Sequence, residues 1–216
     1  MIERTIAAAT HGRYLVEPPR GEASGLLIGF HGYAEAAETQ LARMQRIAGV
    51  ERWAVVAIQG LHRFYQRRTN EVIASWMTRQ DRDLAIADNL AYVAAVVDAV
   101  VDEWPRASRL VFAGFSQGVA MTLRAASHSQ RAIAGIIAVG GDVPPELTAS
   151  ALGRVPAALV CHGVRDAWYT PEKFQQDVAR LRATGTNVEA LEFDGGHEWS
   201  DPVARAAGVF LARTLG

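Results

Sequence analysis

The sequence has little cysteine: Cys161 is the only one among its 216 residues. A single thiol cannot form a disulfide within the chain, and this shortage fits a protein of a reducing compartment. Because Cys161 lies inside a predicted strand, we expect it to be a small buried core residue and not a nucleophile.

An excess of charge of one sign is also absent, since the formal net charge is -1 and the pI is near 6.6. This balance gives no sign of a nucleic-acid surface or of a polybasic membrane patch. The first residues, MIERTIAAATHGRYLVEPP, lack a charged head followed by a sustained apolar core. No stretch is expected to reach the roughly 20 apolar residues that span a membrane. We therefore expect a cytoplasmic protein, complete from Met1, that binds no nucleic acid and has no membrane span.

What the chain does have is an alternation of apolar strands with helical patterns. Its 23.4 kDa suffice for one sizeable core, so a single domain over residues 1–216 is expected, without a large lid domain. Strands that are apolar on both faces predict an α/β fold with three layers, in which helices cover both faces of a mostly parallel sheet. The strands are predicted at 25–32, 53–60, 110–113, 133–140, 157–163 and 188–193, and helices at 34–50, 81–104, 171–184 and 202–215. An antiparallel edge hairpin is expected within 2–17, and a long functional loop at 61–78.

The most informative stretch is RLVFAGFSQG at residues 109–118. A buried strand runs into Gly-x-Ser-x-Gly, and a helical pattern follows directly after Ser116. This arrangement is the nucleophile elbow of a serine hydrolase, in which a sharp, strained turn lifts the serine hydroxyl clear of the sheet. Glycines flank Ser116 because side chains at Gly114 and Gly118 would collide with the neighbouring strand or helix.

A serine nucleophile needs a histidine base, and the base needs a carboxylate that orients it. Reactive groups of a parallel sheet gather outside the carboxyl ends of its strands, and Asp166 and His197 each follow a later predicted strand. Their order after Ser116 is the order found in triads of this kind of fold. Asp142 and Asp194 remain alternatives for the acid, while Asp194 is more simply explained as part of the glycine turn before His197.

Four motifs together carry a closer likeness: FHGY at 30–33, GFSQG at 114–118, HGVRD at 162–166 and DGGHE at 194–198. In this order they resemble the phospholipase/carboxylesterase family of α/β-hydrolases, which includes acyl-protein thioesterases. The resemblance implies an α/β-hydrolase fold and a catalytic triad of Ser116, Asp166 and His197. It also implies that the backbone N–H groups of Tyr33 and Gln117 form the oxyanion hole.

The implied activity is hydrolysis of carboxylic esters, including thioesters or lysophospholipids, through an acyl-enzyme and without metal or organic cofactor. The sequence departs from the family pattern at Tyr33 and after Asp166, where Trp168 follows. These bulky residues favour a small or aromatic ester over a long-chain lipid, and Trp76 and Trp168 are expected to contact the substrate. Perhydrolysis or acyl transfer by the same triad, and a non-catalytic binding protein, remain alternatives. Whether the chain forms a homodimer is left open.

Overall fold

Within residues 1–215, which the computed structural model describes, the chain forms nine strands and six α-helices. The strands are β1 (Arg13–Glu17), β2 (Gly25–Phe30), β3 (Trp53–Gln59), β4 (His62–Tyr65), β5 (Val72–Ser75), β6 (Leu110–Phe115), β7 (Gly135–Val139), β8 (Ala157–Gly163) and β9 (Asn187–Phe193). The helices are α1 (Ala37–Gln45), α2 (Arg82–Glu103), α3 (Gln117–His128), α4 (Ala149–Leu152), α5 (Pro171–Arg182) and α6 (Asp201–Thr214). Gly216, the last residue of the predicted domain, lies outside the described residues.

Seven strands form one sheet in the order β1-β3-β2-β6-β7-β8-β9. Strand β1 runs antiparallel to β3, and every other neighbouring pair is parallel. All residues of β2, β3, β6 and β7 are buried, which explains why these strands read as continuous apolar runs. The parallel strands bring the turns after β2, β6, β7, β8 and β9 to one edge of the sheet.

Helices cover both faces of the sheet, as the alternation predicts. Successive residues of a strand point to opposite faces, so Ile28 and Phe112 enter one core while Leu27 and Val111 enter the other. Helices α2, α3 and α5 contribute to the first core and α1 and α6 to the second, through Val93, Met121, Leu181, Met44 and Phe210 among others. Each fully buried Leu, Ile or Phe side chain stabilises the fold by about 1.5–3 kcal/mol. The fold is the predicted α/β-hydrolase arrangement, without a large lid.

Two predicted segments differ from the structure, and one short helix is not predicted. Residues 61–78 are not a loop throughout, because β4 and β5 pair as an antiparallel hairpin with His62 opposite Ser75. All four residues of β4 are exposed, so the alternation that marks a strand is missing there. The predicted hairpin within 2–17 is a single strand, β1, and Ile6 is 94% exposed. The short helix α4 has no counterpart in the sequence prediction.

Helix α2 is long and apolar enough to cross a membrane by length and composition alone, with a mean hydropathy of 1.8 over its best window. The expectation of no membrane-spanning segment therefore holds only in part, because this one helix passes by length and composition. Val93, Val96, Val97 and Val100 of this helix are buried against the sheet. Core helices have the same composition, so this one helix is weak evidence for a membrane span.

Candidate active site

Ser116 lies in the sharp turn between β6 and α3. Its backbone has φ 53° and ψ -120°, a conformation that non-glycine residues rarely adopt, and its N–H donates to the Val139 carbonyl at 2.9 Å. A Cβ at Gly118 would lie 2.1 Å from the Phe30 carbonyl oxygen, and one at Gly114 would lie 2.5 Å from the Gly118 oxygen. Helix α3 therefore approaches β2 and β6 too closely for side chains at these two positions, as the sequence predicts.

Asp166 and His197 come together at the ends of β8 and β9. The Asp166 carboxylate is almost fully buried, and its Oδ2 lies 2.7 Å from Nδ1 of His197. Its other oxygen accepts the backbone N–H groups of Trp168 at 2.8 Å and Tyr169 at 3.0 Å. A carboxylate held in this way fixes the proton of the imidazole on Nδ1 and leaves Nε2 free to act as a base.

The two competing aspartates are engaged elsewhere. Asp142 lies 3.2 Å from Nζ of Lys173, and Asp194 forms an exposed ion pair with Arg165. Neither carboxylate has a hydrogen bond to His197 among the described residues. The geometry thus favours Asp166 over both alternatives as the partner of the histidine.

Ser116 and His197 line one open cleft, which encloses about 500 Å³ at the carboxyl edge of the sheet. The same cleft is bounded by Tyr33, Trp168 and the turn at Gly140 and Gly141. A serine hydroxyl, an imidazole oriented by a buried carboxylate and a substrate-sized space are the components that acyl transfer requires.

The loop after β2 supplies the predicted oxyanion donors together with α3. The backbone N–H groups of Tyr33 and Gln117 donate to no acceptor within residues 1–215, and Gln117 is the first residue of its helix, where N–H groups are left free. His31 fixes the loop, because its Nδ1 lies 2.7 Å from the Gly32 carbonyl and its Nε2 accepts the Gly60 N–H at 3.0 Å. Burial lowers the pKa of His31, so the ring is neutral, as these two bonds require.

A half-buried ion pair supports this loop, and the sequence did not reveal it. Glu35 accepts the Gly32 N–H at 2.8 Å and receives two bonds from Arg43, at 2.5 and 2.7 Å. Burial alone would raise the pKa of Glu35, but the bonds and charge of Arg43 and the Gly32 N–H outweigh it and keep the pKa below its usual value. The Arg43 guanidinium also stacks on Phe115, 4.0 Å from the ring centre.

The aromatic residues expected at the substrate divide into two groups. Trp168 lines the cleft and is 76% exposed, so its position agrees with a substrate contact. Trp76 does not line the cleft: it is fully buried, and its indole N–H donates to the His31 carbonyl at 2.8 Å. This tryptophan packs on Phe30 and supports the loop before Tyr33 from below, which corrects the expectation that it contacts substrate.

A second buried carboxylate, that of Asp177, lies next to the turn that carries Asp166, and the local sequence gives no sign of it. Asp177 of α5 accepts the Val143 N–H at 2.9 Å and the Tyr169 hydroxyl at 3.2 Å. Burial raises its pKa from 3.8 to about 6. Asp177 therefore connects the turn after β7 to the turn that carries Asp166. Cys161 is fully buried in β8, as expected, and burial raises its pKa, so it is not a competing nucleophile.

Comparison with known proteins agrees with this geometry. The family model described as Phospholipase/Carboxylesterase matches residues 11–214. The chain belongs to the phospholipase/carboxylesterase family. It is 27% identical over 149 residues to acyl-protein thioesterase 1 homolog 1 of Dictyostelium discoideum, a match that covers 66% of each chain.

Solved structures of similar fold include acyl-protein thioesterase 2 of Zea mays, with a TM-score of 0.75 at 18% identity, covering 95% of this chain and all of that one. The carboxylesterase of Bacillus cereus has a TM-score of 0.72 at 14% identity and covers 94% of both chains. The match to the family model confirms the predicted resemblance to the phospholipase/carboxylesterase family. At these identities the structures establish the α/β-hydrolase fold alone.

Proposed function

We propose that the chain is a serine hydrolase that cleaves carboxylic esters, including thioesters, without metal or organic cofactor. The observation that carries the proposal is the 2.7 Å contact between Asp166 and His197 in the cleft that Ser116 also lines. Two relatives are named acyl-protein thioesterases, which favours thioesters as part of the substrate range. We further propose that the whole chain forms one hydrolase domain and that it acts in the cytoplasm.

The mechanism begins with attack of the Ser116 hydroxyl on the scissile carbonyl while Nε2 of His197 accepts its proton. The carbonyl oxygen becomes an oxyanion and accepts the N–H groups of Tyr33 and Gln117. Each such donor typically contributes about 10²–10³ in rate. The protonated His197 then donates its proton to the leaving alcohol or thiol, which leaves an acyl group on Ser116.

The second half repeats these steps with water as the nucleophile. His197 accepts a proton from water as the hydroxide attacks the acyl carbonyl, and the same N–H groups stabilise the oxyanion. Collapse releases the carboxylic acid and returns the proton to the Ser116 oxygen. Throughout, the Asp166 carboxylate stabilises the imidazolium that forms on His197.

A fluorophosphonate probe tests the nucleophile directly. We expect the wild-type protein to be labelled and Ser116→Ala not to be, since the probe reacts only with an activated serine. Ser129, which is partly buried like Ser116, supplies a matched control, because Ser129→Ala should label as the wild type does. Equal labelling of wild type and Ser116→Ala would refute the proposal.

The substrate range is tested with p-nitrophenyl esters from acetate to palmitate, beside an acyl-thioester. The exposed Tyr33 and Trp168 at the cleft favour a small or aromatic ester. We expect the short esters to be turned over best. Highest kcat/KM on palmitate would refute this substrate preference while leaving the serine mechanism in place.

A further inference from the structure

The cleft continues from Ser116 along helix α3 and ends at a buried arginine. Ser116, Ala120 and Arg124 all line it, and their spacing of four residues places them on one face of the helix. The guanidinium of Arg124 lies roughly 8–12 Å from the nucleophile, given a rise of 1.5 Å per residue and side chains that tilt toward the helix N-terminus. The cleft thus has a reactive end and a charged end.

Apolar groups line the cleft between these ends. Met77 lies on one side of the helix, since its carbonyl accepts Nε2 of Gln117 and its sulfur lies 3.7 Å from Nη1 of Arg124. Pro144 and Pro145 also line the cleft. A hydrocarbon chain that extends from the scissile carbonyl toward Arg124 can therefore contact these apolar groups.

The charged end holds Arg124 and Arg82, and the exposed Asp83 lies 3.5 Å from Nη1 of Arg82. Arg124 is 3% exposed and gives Nε and Nη2 to a single oxygen of Glu146, at 2.9 and 2.5 Å. The other Glu146 oxygen accepts Nη2 of Arg82 at 3.3 Å. Two guanidinium groups therefore share one carboxylate. Nearby, Lys173, the only lysine of the chain, and Asp142 cancel one another.

One donor of the buried guanidinium has no good acceptor. Nη1 of Arg124 meets only the weakly accepting sulfur of Met77 among the described residues. Buried polar groups are normally satisfied, and a guanidinium binds carboxylates best through two parallel bonds. A carboxylate oxygen in the cleft would give this donor a charged acceptor.

We propose that Arg124 and Arg82 form an anion subsite, and that the preferred substrates carry a carboxylate at the far end of the chain from the scissile ester or thioester. This inference rests on the proposed hydrolase function and specifies its substrate class. A long unsubstituted alkyl chain would instead bring its methyl end against a guanidinium and remove that charge from water.

The test compares p-nitrophenyl hydrogen suberate with p-nitrophenyl octanoate, which has the same chain length but no carboxylate. We expect kcat/KM to be about 10- to 100-fold higher for the suberate, the range of a hydrogen bond to a charged group. The adipate and sebacate half-esters test the spacing. A second arm, with acetyl esters of ω-hydroxy acids against acetyl esters of alcohols, places the carboxylate on the leaving-group side.

Substitutions in the subsite test which residues cause the preference for a carboxylate. Arg82→Met and Arg124→Met should each lower the ratio of carboxylate to neutral ester turnover, and Glu146→Gln should raise it by removing the competing carboxylate. Arg131→Met is the matched control, because Arg131 is as exposed as Arg82 and pairs with Asp98 away from the cleft. Its ratio should equal that of the wild type.

Equal turnover of carboxylate and neutral esters in both arms would overturn the subsite and leave the hydrolase function standing. So would a ratio that none of the three cleft variants changes. Absence of any turnover, together with absence of fluorophosphonate labelling, would overturn the hydrolase function and the subsite with it. Suberate binding to Ser116→Ala, measured by calorimetry and lost in Ser116→Ala/Arg82→Met, would support the subsite independently of turnover.

Discussion

The two sides of the cleft are supported in different ways. On the acid–base side, Asp166 is held by backbone N–H groups of its own turn, at Trp168 and Tyr169. On the oxyanion side, the Gly32 N–H is held by the Glu35 carboxylate of the same loop, and Arg43 of helix α1 holds that carboxylate in turn. A local turn keeps its geometry when distant residues change, whereas the oxyanion loop depends on a charge pair that one substitution can break.

The largest effect is expected on the acid–base side. Asp166→Asn keeps the shape of the turn but favours the wrong tautomer of His197, and the same change in a well-studied serine protease lowers kcat by about 10⁴-fold. We expect a loss of similar size, measured as kcat on p-nitrophenyl acetate. Asp194→Asn, which removes only an exposed ion pair with Arg165, is the control. Comparable losses in both variants would show that Asp166 is not the orienting acid.

A smaller effect is expected on the oxyanion side. Glu35→Gln removes the charge that holds Arg43 and weakens the tether on Gly32, so the loop can shift. Misplacement of a reacting group by about 1 Å costs up to about 10²-fold in rate, which bounds the expected fall in kcat. We also expect the free energy of unfolding to fall by about 1–3 kcal/mol, because the Arg43 guanidinium is left half-buried without its partner.

The control for this variant is Glu38→Gln, since Glu38 pairs with Arg13 at the exposed surface. Both kcat on p-nitrophenyl acetate and unfolding by urea are measured. If Glu35→Gln changed stability but not kcat, the ion pair would be a purely structural feature, and the contrast between the two sides of the cleft would fail.

The smallest expected effect is on the pH dependence of stability, through the buried carboxylate of Asp177. Burial raises the pKa of Asp177 from 3.8 to about 6, with Asp142 raising it further and Arg180 opposing. The folded state therefore binds this proton more tightly than the unfolded state. The resulting stabilisation is fully present below about pH 4 and is lost as the pH rises through about 6.

Asp177→Asn removes the titrating group and keeps an acceptor for Val143 and Tyr169. We expect the free energy of unfolding, measured by urea between about pH 4 and about pH 7, to fall less with rising pH in this variant than in the wild type. Asp98→Asn, at an exposed carboxylate on α2, should keep the wild-type slope. An unchanged slope in Asp177→Asn would contradict the raised pKa.

The same contrast explains what the sequence could predict. The elbow at Ser116 and the strands leading to Asp166 and His197 follow from local patterns: apolar runs, glycines and helical spacing within a few residues. The β4–β5 hairpin was missed because β4 is exposed throughout.

The hydrogen bonds that hold Trp76 beneath the oxyanion loop cannot be predicted from local sequence, because they join residues far apart in the chain. The bond from Trp76 to His31 spans 45 positions, and the side chain of Gln117 accepts the Trp76 N–H from 41 positions away. Nothing in the local sequence distinguishes such a tryptophan from one that contacts substrate. Only its packing on Phe30 of β2 and its bond to His31 show that Trp76 is a buried residue and not a substrate contact.

Helix α3 begins at the nucleophile and carries Arg124 two turns later. Their separation is therefore set by the rigid rise of one helix and does not change when the surrounding loops move. In the proposed subsite, helix α3 therefore sets the distance between Ser116 and the bound carboxylate. Moving the arginine from position 124 to position 120 would shorten that distance by about 6 Å, four residues of helix, without altering the strained turn at Ser116.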